Sequence, residues 1–449
     1  MLFTVIAAVI IALGAEPRLE LVQDPSFNPG LLLIYTILTI VLAPVPGIIV
    51  SATIKSDDLR DAHGRTRILK RVRIASLLYQ GYLLGSFVLV TYVFDWPLII
   101  EGVLGMHGWV LIDELLRLAP FLAMLVLAWV PLYRIDRVLR QGHWTMHEYM
   151  EFHFRQYVLF VLMPFVVMVT VVDVMELLPG CEMLRRTGLS WIVALGAMGT
   201  LYVVSPLALR HIWRTRRMED GPLRRRLEAL SGRAVMGYRD LLVWETMGGY
   251  IVNACVAGIL APVRYVMVTD ALVDTLSAEE VEGVFAHEIG HIKLHHMVYY
   301  VLFVVVSVAA MVLVTALPFF PQGTDNGGGL LSVESAVLAV LGILFWGVAF
   351  GVLSRRMELE ADVYAVGLTG STSDFVNALE RISFFSGRPR SAGSWRHFSI
   401  ARRTGFLEAC QADPARCGRF LAAMHVLRWV LVALSVVGVA AAAYVIFAL

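Results

Sequence analysis

The sequence predicts an all-α polytopic membrane protein with seven core transmembrane helices, up to nine in total, and a small cytoplasmic α+β domain. Of the 449 residues, 58% are hydrophobic and 16% are charged, whereas soluble globular proteins carry about 45–50% apolar and about 25% charged residues. Apolar windows long enough to cross a bilayer recur along the chain. This composition excludes an ordinary soluble enzyme, a disordered chain and a nucleic-acid binder with a basic surface.

The apolar windows define the predicted spans and divide the chain. Seven windows are convincing: 31–50, 74–97, 109–133, 157–178, 188–209, 298–319 and 330–353. An eighth covers 427–449, and the short apolar segment 1–13, which lacks the basic residues of a signal peptide, either adds a ninth or does not span. The predicted organisation is an N-terminal bundle (1–209), a polar segment (210–297), a helix pair (298–353), a second polar segment (354–426) and a last helix (427–449).

Basic residues are concentrated in alternate loops, which predicts the orientation. The loops 51–73, 134–156, 210–297 and 354–426 hold 32 of the 37 Lys and Arg residues, and the intervening loops hold three. Because such residues accumulate on the cytoplasmic side, both polar segments are expected there. The excess of Arg over Lys, 34 to 3, reflects codon bias and indicates a bacterial plasma (inner) membrane. The net charge of +1 does not by itself indicate a partner, and the composition leads us to expect the lipid bilayer and peptide substrates, with no nucleic acid.

The first polar segment contains a helix start followed by two histidines one turn apart. Ser277 and Glu280 form a capping box, which predicts a helix that begins directly after the serine. On that helix His287 and His291 share a face, so both imidazoles can reach one metal ion, and Glu288 can reach a water in its open position. This is the H-E-x-x-H arrangement of two neutral ligands and a general base. The alternative interpretation is a polar helix surface near the membrane interface.

A third metal ligand has to come from a distant part of the chain. His295 lies about 12 Å along the helix from His287, too far for a shared ion with bonds of about 2 Å. Both His295 and His296 are therefore predicted to be interfacial, in the turn before the span at 298. The four cysteines are too scattered for a Cys-based zinc site.

The segment that follows the span 330–353 offers the missing ligand. On a helix, Glu358 and Asp362 lie one turn apart on a shared face, while Glu360 points away. Glu358 can then ligate the metal, and Asp362 can accept the spare N–H of a ligand histidine and fix its orientation. A solvated acidic helix face is the alternative.

These residues resemble the gluzincin-type integral-membrane metalloproteases, specifically the type I CAAX prenyl proteases and the related HtpX-type quality-control proteases. The resemblance is dense over 222–300 and 350–407 and rests on Arg264-Tyr265, Thr269 to Leu272, Leu276 to Glu280, His287 to Ile292 and Ser354 to Asp362. It implies that Glu358 is the third ligand of one Zn²⁺ per chain. The predicted domain is thus a small α+β cytoplasmic zinc-metalloprotease domain.

The resemblance also implies how a substrate is held. Asn253-Ala254, five residues before Gly258, resembles the family's edge strand, which offers free N–H and C=O groups to an extended peptide. A simple turn is the alternative at this position.

A second implied pair lies in the distal segment. His397 and Arg403 have the spacing of a prenyl protease pair, in which the histidine stabilises the transition state and the arginine holds the C-terminal carboxylate of the substrate. The family's His-Pro is replaced by His397-Phe398, and Arg402 could take the anion-binding role instead. The alternative is an ordinary cytosolic loop rich in arginine.

The expected function is that of a zinc-dependent, membrane-embedded endopeptidase. Zinc would acidify a water, Glu288 would remove its proton and pass it to the leaving amine, and His397 would donate to the oxyanion. The five spans before and two after the H-E-x-x-H motif favour the prenyl protease type, with membrane-associated or C-terminal peptide substrates, prenylated or not. The alternatives are an HtpX-like quality-control protease and an inactive metal-binding membrane scaffold or sensor.

Overall fold

The chain forms two compact units. The structure is a computed structural model and describes residues 1–23, 27–54, 62–106, 109–140, 144–183, 190–246, 251–316, 342, 345–385 and 389–448. The first unit comprises Met1–Thr215 with Glu245–Tyr250, and the second comprises Arg216–Trp244 with Ile251–Leu449.

In its described residues, the first unit consists of helices, most of them apolar. They are α1 (Leu2–Leu13), α2 (Pro29–Leu42), α3 (Val45–Thr53), α4 (Ala62–Val88), α5 (Trp96–Leu98), α6 (Ile112–Arg140), α7 (Met146–His153), α8 (Phe160–Leu177) and α9 (Ser190–Ile212). Helix α1 has 12 residues, which is about 18 Å and too short to cross a bilayer core of about 30 Å. The segment 1–13, left open as a ninth span, therefore does not span as a single straight helix.

Within the described residues, six helical stretches are long and apolar enough to cross a membrane. They are Pro29–Thr53, Arg71–Val93, Ile112–Val138, Met146–Leu177, His296–Val314 and Pro414–Val445. Each contains most of one predicted window. The window 188–209 corresponds to α9, several of whose side chains lie outside the described part, and most of 330–353 lies outside it altogether. The predicted class, a mostly helical membrane protein with a small sheet-containing domain, is confirmed.

The second unit contains a small mixed sheet. Its strands are β1 (Thr215–Arg217), β2 (Asp240–Trp244), β3 (Ala254–Ala257) and β4 (Tyr265–Thr269), in the order β1-β2-β4-β3. Strands β2 and β4 are parallel, whereas β3 is antiparallel to β4 and places Ala254 opposite Val268. Among the strands described, β3 therefore forms one edge of the sheet.

Among the described residues, eight helices complete the second unit. They are α10 (Pro222–Arg233), α11 (Asp270–Thr275), α12 (Ala278–Lys293), α13 (His296–Thr315), α14 (Gly351–Thr369), α15 (Thr372–Phe385), α16 (Ile400–Ala412) and α17 (Pro414–Ala448). The sheet and the helices around it share one apolar core, in which Leu227, Val266, Leu272, Phe285 and Phe375 are all buried.

Helix α12 approaches its neighbours closely at two glycines. A Cβ at Gly290 would lie 3.2 Å from the Cα of Ala361 on α14, and one at Gly283 would lie 3.2 Å from the ring of Phe375 on α15. The two glycines, seven residues apart, lie on one face of α12. The absence of side chains there lets α12 and α14 pack backbone against backbone.

The last helix packs against the first helix after the H-E-x-x-H motif. Phe303 of α13, Leu353 and Met357 of α14, and Met424 and Leu431 of α17 form a second buried apolar cluster. Helix α17 begins at Pro414, well before the predicted span at 427, so its first turns precede the apolar stretch.

Candidate metal centre

The two motif histidines lie on a helix whose start is the predicted capping box. The Ser277 hydroxyl accepts from the Glu280 N–H at 3.3 Å, and the Glu280 carboxylate accepts from the Ser277 N–H at 2.8 Å. With its first turn fixed in this way, α12 brings the Nε2 atoms of His287 and His291 to 3.2 Å from each other.

Glu358 of α14 lies against both imidazoles. Its Oε2 is 3.6 Å from Nε2 of His287, and its Oε1 is 3.5 Å from Nε2 of His291. The three side chains can present ligand atoms that all lie within 4.8 Å of one another. Tetrahedral coordination with bonds of about 2.0–2.1 Å brings neighbouring ligand atoms to roughly 3.3 Å. The observed spacing and the nitrogen–oxygen donor set therefore fit a zinc ion.

The charges around this cluster favour a cation. Burial lowers the pKa of His287, but Asp362 and Glu358 outweigh it and raise the pKa to about 10. Burial and the neighbouring His287 lower the pKa of His291 well below its ordinary value. Burial opposes ionisation of Glu358, yet the imidazoles of His287 and His397 hold its pKa well below the ordinary value. The buried carboxylates that surround the two imidazoles therefore favour a positive charge at this place, as a metal cation would supply.

Asp362 lies behind His287 and is paired with Arg403. Its Oδ1 is 2.9 Å from Nδ1 of His287, and its two oxygens accept from Nε and Nη2 of Arg403 at 2.8 and 2.6 Å. Burial opposes ionisation of Asp362, but the guanidinium outweighs it and lowers the pKa of that carboxyl. Arg403 was predicted to hold a substrate carboxylate. The structure instead has the Arg403 side chain buried, with its guanidinium hydrogen-bonded to Asp362.

Glu288 points from α12 toward the edge strand. The backbone N–H of Val256 on β3 donates to its carboxylate, and burial raises the pKa of Glu288 to about 7. The side chain is half-buried, which suits a group that must exchange a proton with a ligand in the site.

The edge strand begins at the predicted Asn-Ala dipeptide. The Asn253 carbonyl accepts from the Thr269 N–H at 3.0 Å. Because antiparallel partners alternate in direction, this register turns the N–H and C=O of Ala254 and Val256 away from β4. On one side β3 pairs with β4 (Tyr265–Thr269), whereas residues 251 and 252, which precede it, do not form a strand. The exposed side of β3 therefore offers backbone groups to an extended chain.

His397 lies on a loop attached to the start of α14. Ser354 donates to the Arg396 carbonyl at 3.2 Å, and Arg355 donates to the Trp395 carbonyl at 2.8 Å. The loop places Nδ1 of His397 2.9 Å from Oε2 of Glu358, with the histidine side chain half exposed. His397 is thus both close to the cluster and accessible to a ligand.

Arg402 is the exposed neighbour of the buried Arg403. Its guanidinium lies 3.8 Å from the ring centre of Phe398, and that of Arg355 lies 5.6 Å from it. Of the two candidates for binding an anion at the start of α16, Arg402 is the one that the structure leaves exposed.

His296, predicted to be interfacial, is fully buried. Its Nδ1 lies 2.8 Å from Nδ1 of His291, and its Nε2 lies 3.2 Å from Glu360. Arg428 of α17 donates to the same Glu360 oxygen at 2.7 Å. Hydropathy places His296 at the edge of a span, where the structure also has it, but it cannot show which helices cover the side chain. The one sequence feature that could have indicated these contacts is that Glu360 points away from Glu358 on the predicted helix.

Known proteins resemble the chain over the region that holds this centre. Residues 217–425, just under half of the chain, match the sequence profile of peptidase family M48. The Protease HtpX homolog of Gemmatimonas aurantiaca is 29% identical over 117 residues, covering 26% of this chain and 42% of that protein. The Protease HtpX homolog of Aeropyrum pernix is 28% identical over 213 residues, covering 44% of this chain and 65% of that protein. The matched part thus spans about two fifths to two thirds of these relatives.

One solved structure resembles the fold over most of the chain. The crystal structure of S. mikatae Ste24p matches with a TM-score of 0.53 and 17% identity, covering 85% of this chain and 99% of that one. At 17% identity, this likeness shows a similar fold and nothing more. The resemblance to integral-membrane metalloproteases of the HtpX and Ste24p kinds, expected from the sequence, is confirmed.

Proposed function

Because residues 217–425 match peptidase family M48, we propose that the chain is a zinc-dependent, membrane-embedded endopeptidase. The single observation that carries the proposal is the convergence of His287, His291 and Glu358 at spacings that suit one tetrahedral ion. These three side chains would hold the zinc, and the metal would supply Lewis acidity that acidifies water and polarises a carbonyl.

The chain's own residues supply the proton transfer. Glu288 is half-buried and adjacent in sequence to the proposed ligand His287, and burial raises its pKa to about 7. It takes the proton of the attacking water and delivers it to the leaving amine. His397, exposed and 2.9 Å from Glu358, donates to the oxyanion as the carbonyl becomes tetrahedral.

The edge strand orients the substrate. Asn253 directly precedes β3 and Ala254 opens it, and the outward groups of Ala254 can pair with an extended peptide beside Glu288. We propose membrane-associated or C-terminal peptides as substrates, because the centre is followed directly by the candidate span His296–Val314. Arg402 replaces Arg403 as the proposed partner of a substrate carboxylate, since the fork of Arg403 is engaged by Asp362.

Placement in the membrane follows from charge and apolar length. The candidate spans make the chain an integral membrane protein. The concentration of Lys and Arg in 210–297 and 354–426 supports a cytoplasmic site in a bacterial plasma membrane.

The test uses the full chain purified in detergent, with zinc analysis and a peptide library. Wild type should carry about one zinc per chain and cleave peptides. Glu288→Gln should keep its zinc and lose about a hundredfold to ten-thousandfold in kcat, because only proton transfer is removed. Glu358→Ala should lose the metal.

A matched control and one comparison complete the experiment. Glu282→Gln lies on the same helix, where Glu282 contacts Arg226 at 2.7 Å instead of the centre, and it should cleave like wild type. If wild type and Glu288→Gln bind zinc but are equally inert across the library, the endopeptidase proposal fails and the scaffold alternative gains. A farnesylated peptide beside its unmodified twin separates prenyl-directed from general cleavage.

A further inference from the structure

A continuous chain of polar contacts joins the last helix to the metal centre. Nδ1 of His291 lies 2.8 Å from Nδ1 of His296, and Nε2 of His296 lies 3.2 Å from Oε2 of Glu360. The same oxygen accepts from Nη2 of Arg428 at 2.7 Å. His296 and Glu360 are 0% and 3% exposed, so water does not compete for these contacts.

Apolar packing holds this chain of contacts in register. Met424 and Leu431, one turn on either side of Arg428, belong to the buried cluster that also contains Phe303 and Met357. Phe303 lies two turns beyond His296 on α13, and Met357 lies one turn before Glu360 on α14. Each polar member therefore lies on the same face as apolar residues that pack together, which leaves it little freedom to move away.

Binding of a metal ion by His291 would fix the donor and the acceptor of every hydrogen bond in this series of contacts. With Nε2 of His291 facing the metal, its proton lies on Nδ1, which must donate to Nδ1 of His296. His296 then carries its own proton on Nε2 and donates it to Glu360. The carboxylate accepts both from His296 and from Arg428, so the donors converge on Glu360 from both sides and no two protons conflict.

We propose that Arg428 of the last helix is a positioning residue for the metal centre, acting on His291 through Glu360 and His296. The inference rests on the proposed metal site. Its structural parallel is the other ligand: His287 contacts Asp362, which Arg403 holds with two hydrogen bonds. Each imidazole is thus supported by a carboxylate–arginine pair, directly for His287 and through one further imidazole for His291. Partners of this kind fix the tautomer and orientation of a ligand.

The test measures zinc affinity of the full-length protein in detergent, by competition with a chromophoric chelator, and the visible spectrum of the cobalt-substituted protein. Arg428→Met keeps the length of the side chain and removes its charge. It should weaken zinc binding about 10- to 100-fold and alter the cobalt bands, because His291 is no longer held in one orientation. Arg428→Lys should restore much of the affinity, which a purely steric role would not predict.

Controls separate this effect from a general loss of folding. Arg419→Met changes an exposed arginine of the same helix, paired with Asp413 at 3.5 Å, and should bind zinc like wild type. Glu360→Gln provides an independent variant if Arg428→Met does not fold, and it should also weaken binding at least about tenfold. If both Arg428→Met and Glu360→Gln keep the wild-type affinity and cobalt spectrum, the positioning role is wrong while the metal centre stands. If wild type itself binds no zinc, the proposed function fails and this inference fails with it.

Discussion

Asp362 contacts two side chains with different roles, the imidazole of the proposed ligand His287 and the buried guanidinium of Arg403. Its carboxylate is fully buried and lies within 2.9 Å of both His287 and Arg403. Removing one partner of a buried ion pair leaves the other charge without compensation, which costs more than the pair contributes as a whole. The residue therefore links the stability of the second unit to the orientation of His287, a proposed metal ligand.

We expect Asp362→Asn to lower the free energy of unfolding of the metal-free protein by about 3 kcal/mol or more, because Arg403 would remain charged and buried. Denaturant unfolding in detergent, followed by circular dichroism, measures the effect. The matched change Asp413→Asn removes an exposed charge, 52% accessible and 3.5 Å from Arg419, and keeps a side chain that can cap α17. It should cost less than about 1 kcal/mol. Equal costs for the two variants would contradict the role assigned to Asp362.

Residue spacing predicted part of this site and could not predict the rest. The distance of four residues between Glu358 and Asp362 places both on one helical face, and the structure brings that face to the imidazoles. Spacing along the chain could not decide between Arg402 and Arg403, because which of two consecutive residues faces inward depends on how α16 rotates against α14. His296, Glu360 and Arg428 are far apart in sequence, and only the packing of three helices joins them.

The pair of helices α12 and α14 is the element that assembles the site. Gly290 lies between the two ligand-bearing helices, and a methyl group on it would lie 3.2 Å from the Ala361 Cα and 3.3 Å from the Ala361 carbonyl oxygen. Both obstacles are backbone atoms of a helix, which cannot move without moving Glu358 with them.

Gly290→Ala is therefore expected to push the helices apart, to destabilise the protein by about 1–3 kcal/mol and to weaken zinc binding. Unfolding in detergent and chelator competition measure the two effects. Gly405→Ala serves as control, since Gly405 lies inside α16 with nothing within 4 Å of the added methyl group. That change should raise stability by about 1 kcal/mol through helix propensity. A stabilised Gly290→Ala with unchanged affinity would refute the close-packing argument.

The elements differ in how well a pattern of residues specifies them. The start of α12 follows from a local signal, the capping box at Ser277, and the structure contains both of its hydrogen bonds. Strand β1 has three residues and no alternation of its own, so only pairing within the sheet defines it. The early start of α17 at Pro414 lies in a polar stretch that hydropathy does not mark as helix.

For the whole molecule, the charge bias predicts which face of the membrane carries the site. Single cysteines introduced at exposed positions can report this with a membrane-impermeant maleimide. Glu219→Cys, where the side chain is 89% exposed, should be labelled in inside-out vesicles only, because basic loops face the cytoplasm. Met183 is 75% exposed and lies in 179–187, one of the intervening loops with few basic residues, so Met183→Cys should be labelled in right-side-out vesicles only. Wild type provides the background from the four native cysteines, and the reverse pattern would overturn the cytoplasmic placement.

The short connection after α12 has a consequence for which bonds can be cut. Helix α12 ends at Lys293, and the candidate span begins at His296, so the ligand His291 lies within about 10 Å of the start of that span. For the proposed endopeptidase, the depth of the reaction is thereby tied to the lipid boundary instead of to a recognition loop. A tethered polypeptide would be cut at a nearly constant number of residues from its own point of emergence, whatever its side chains.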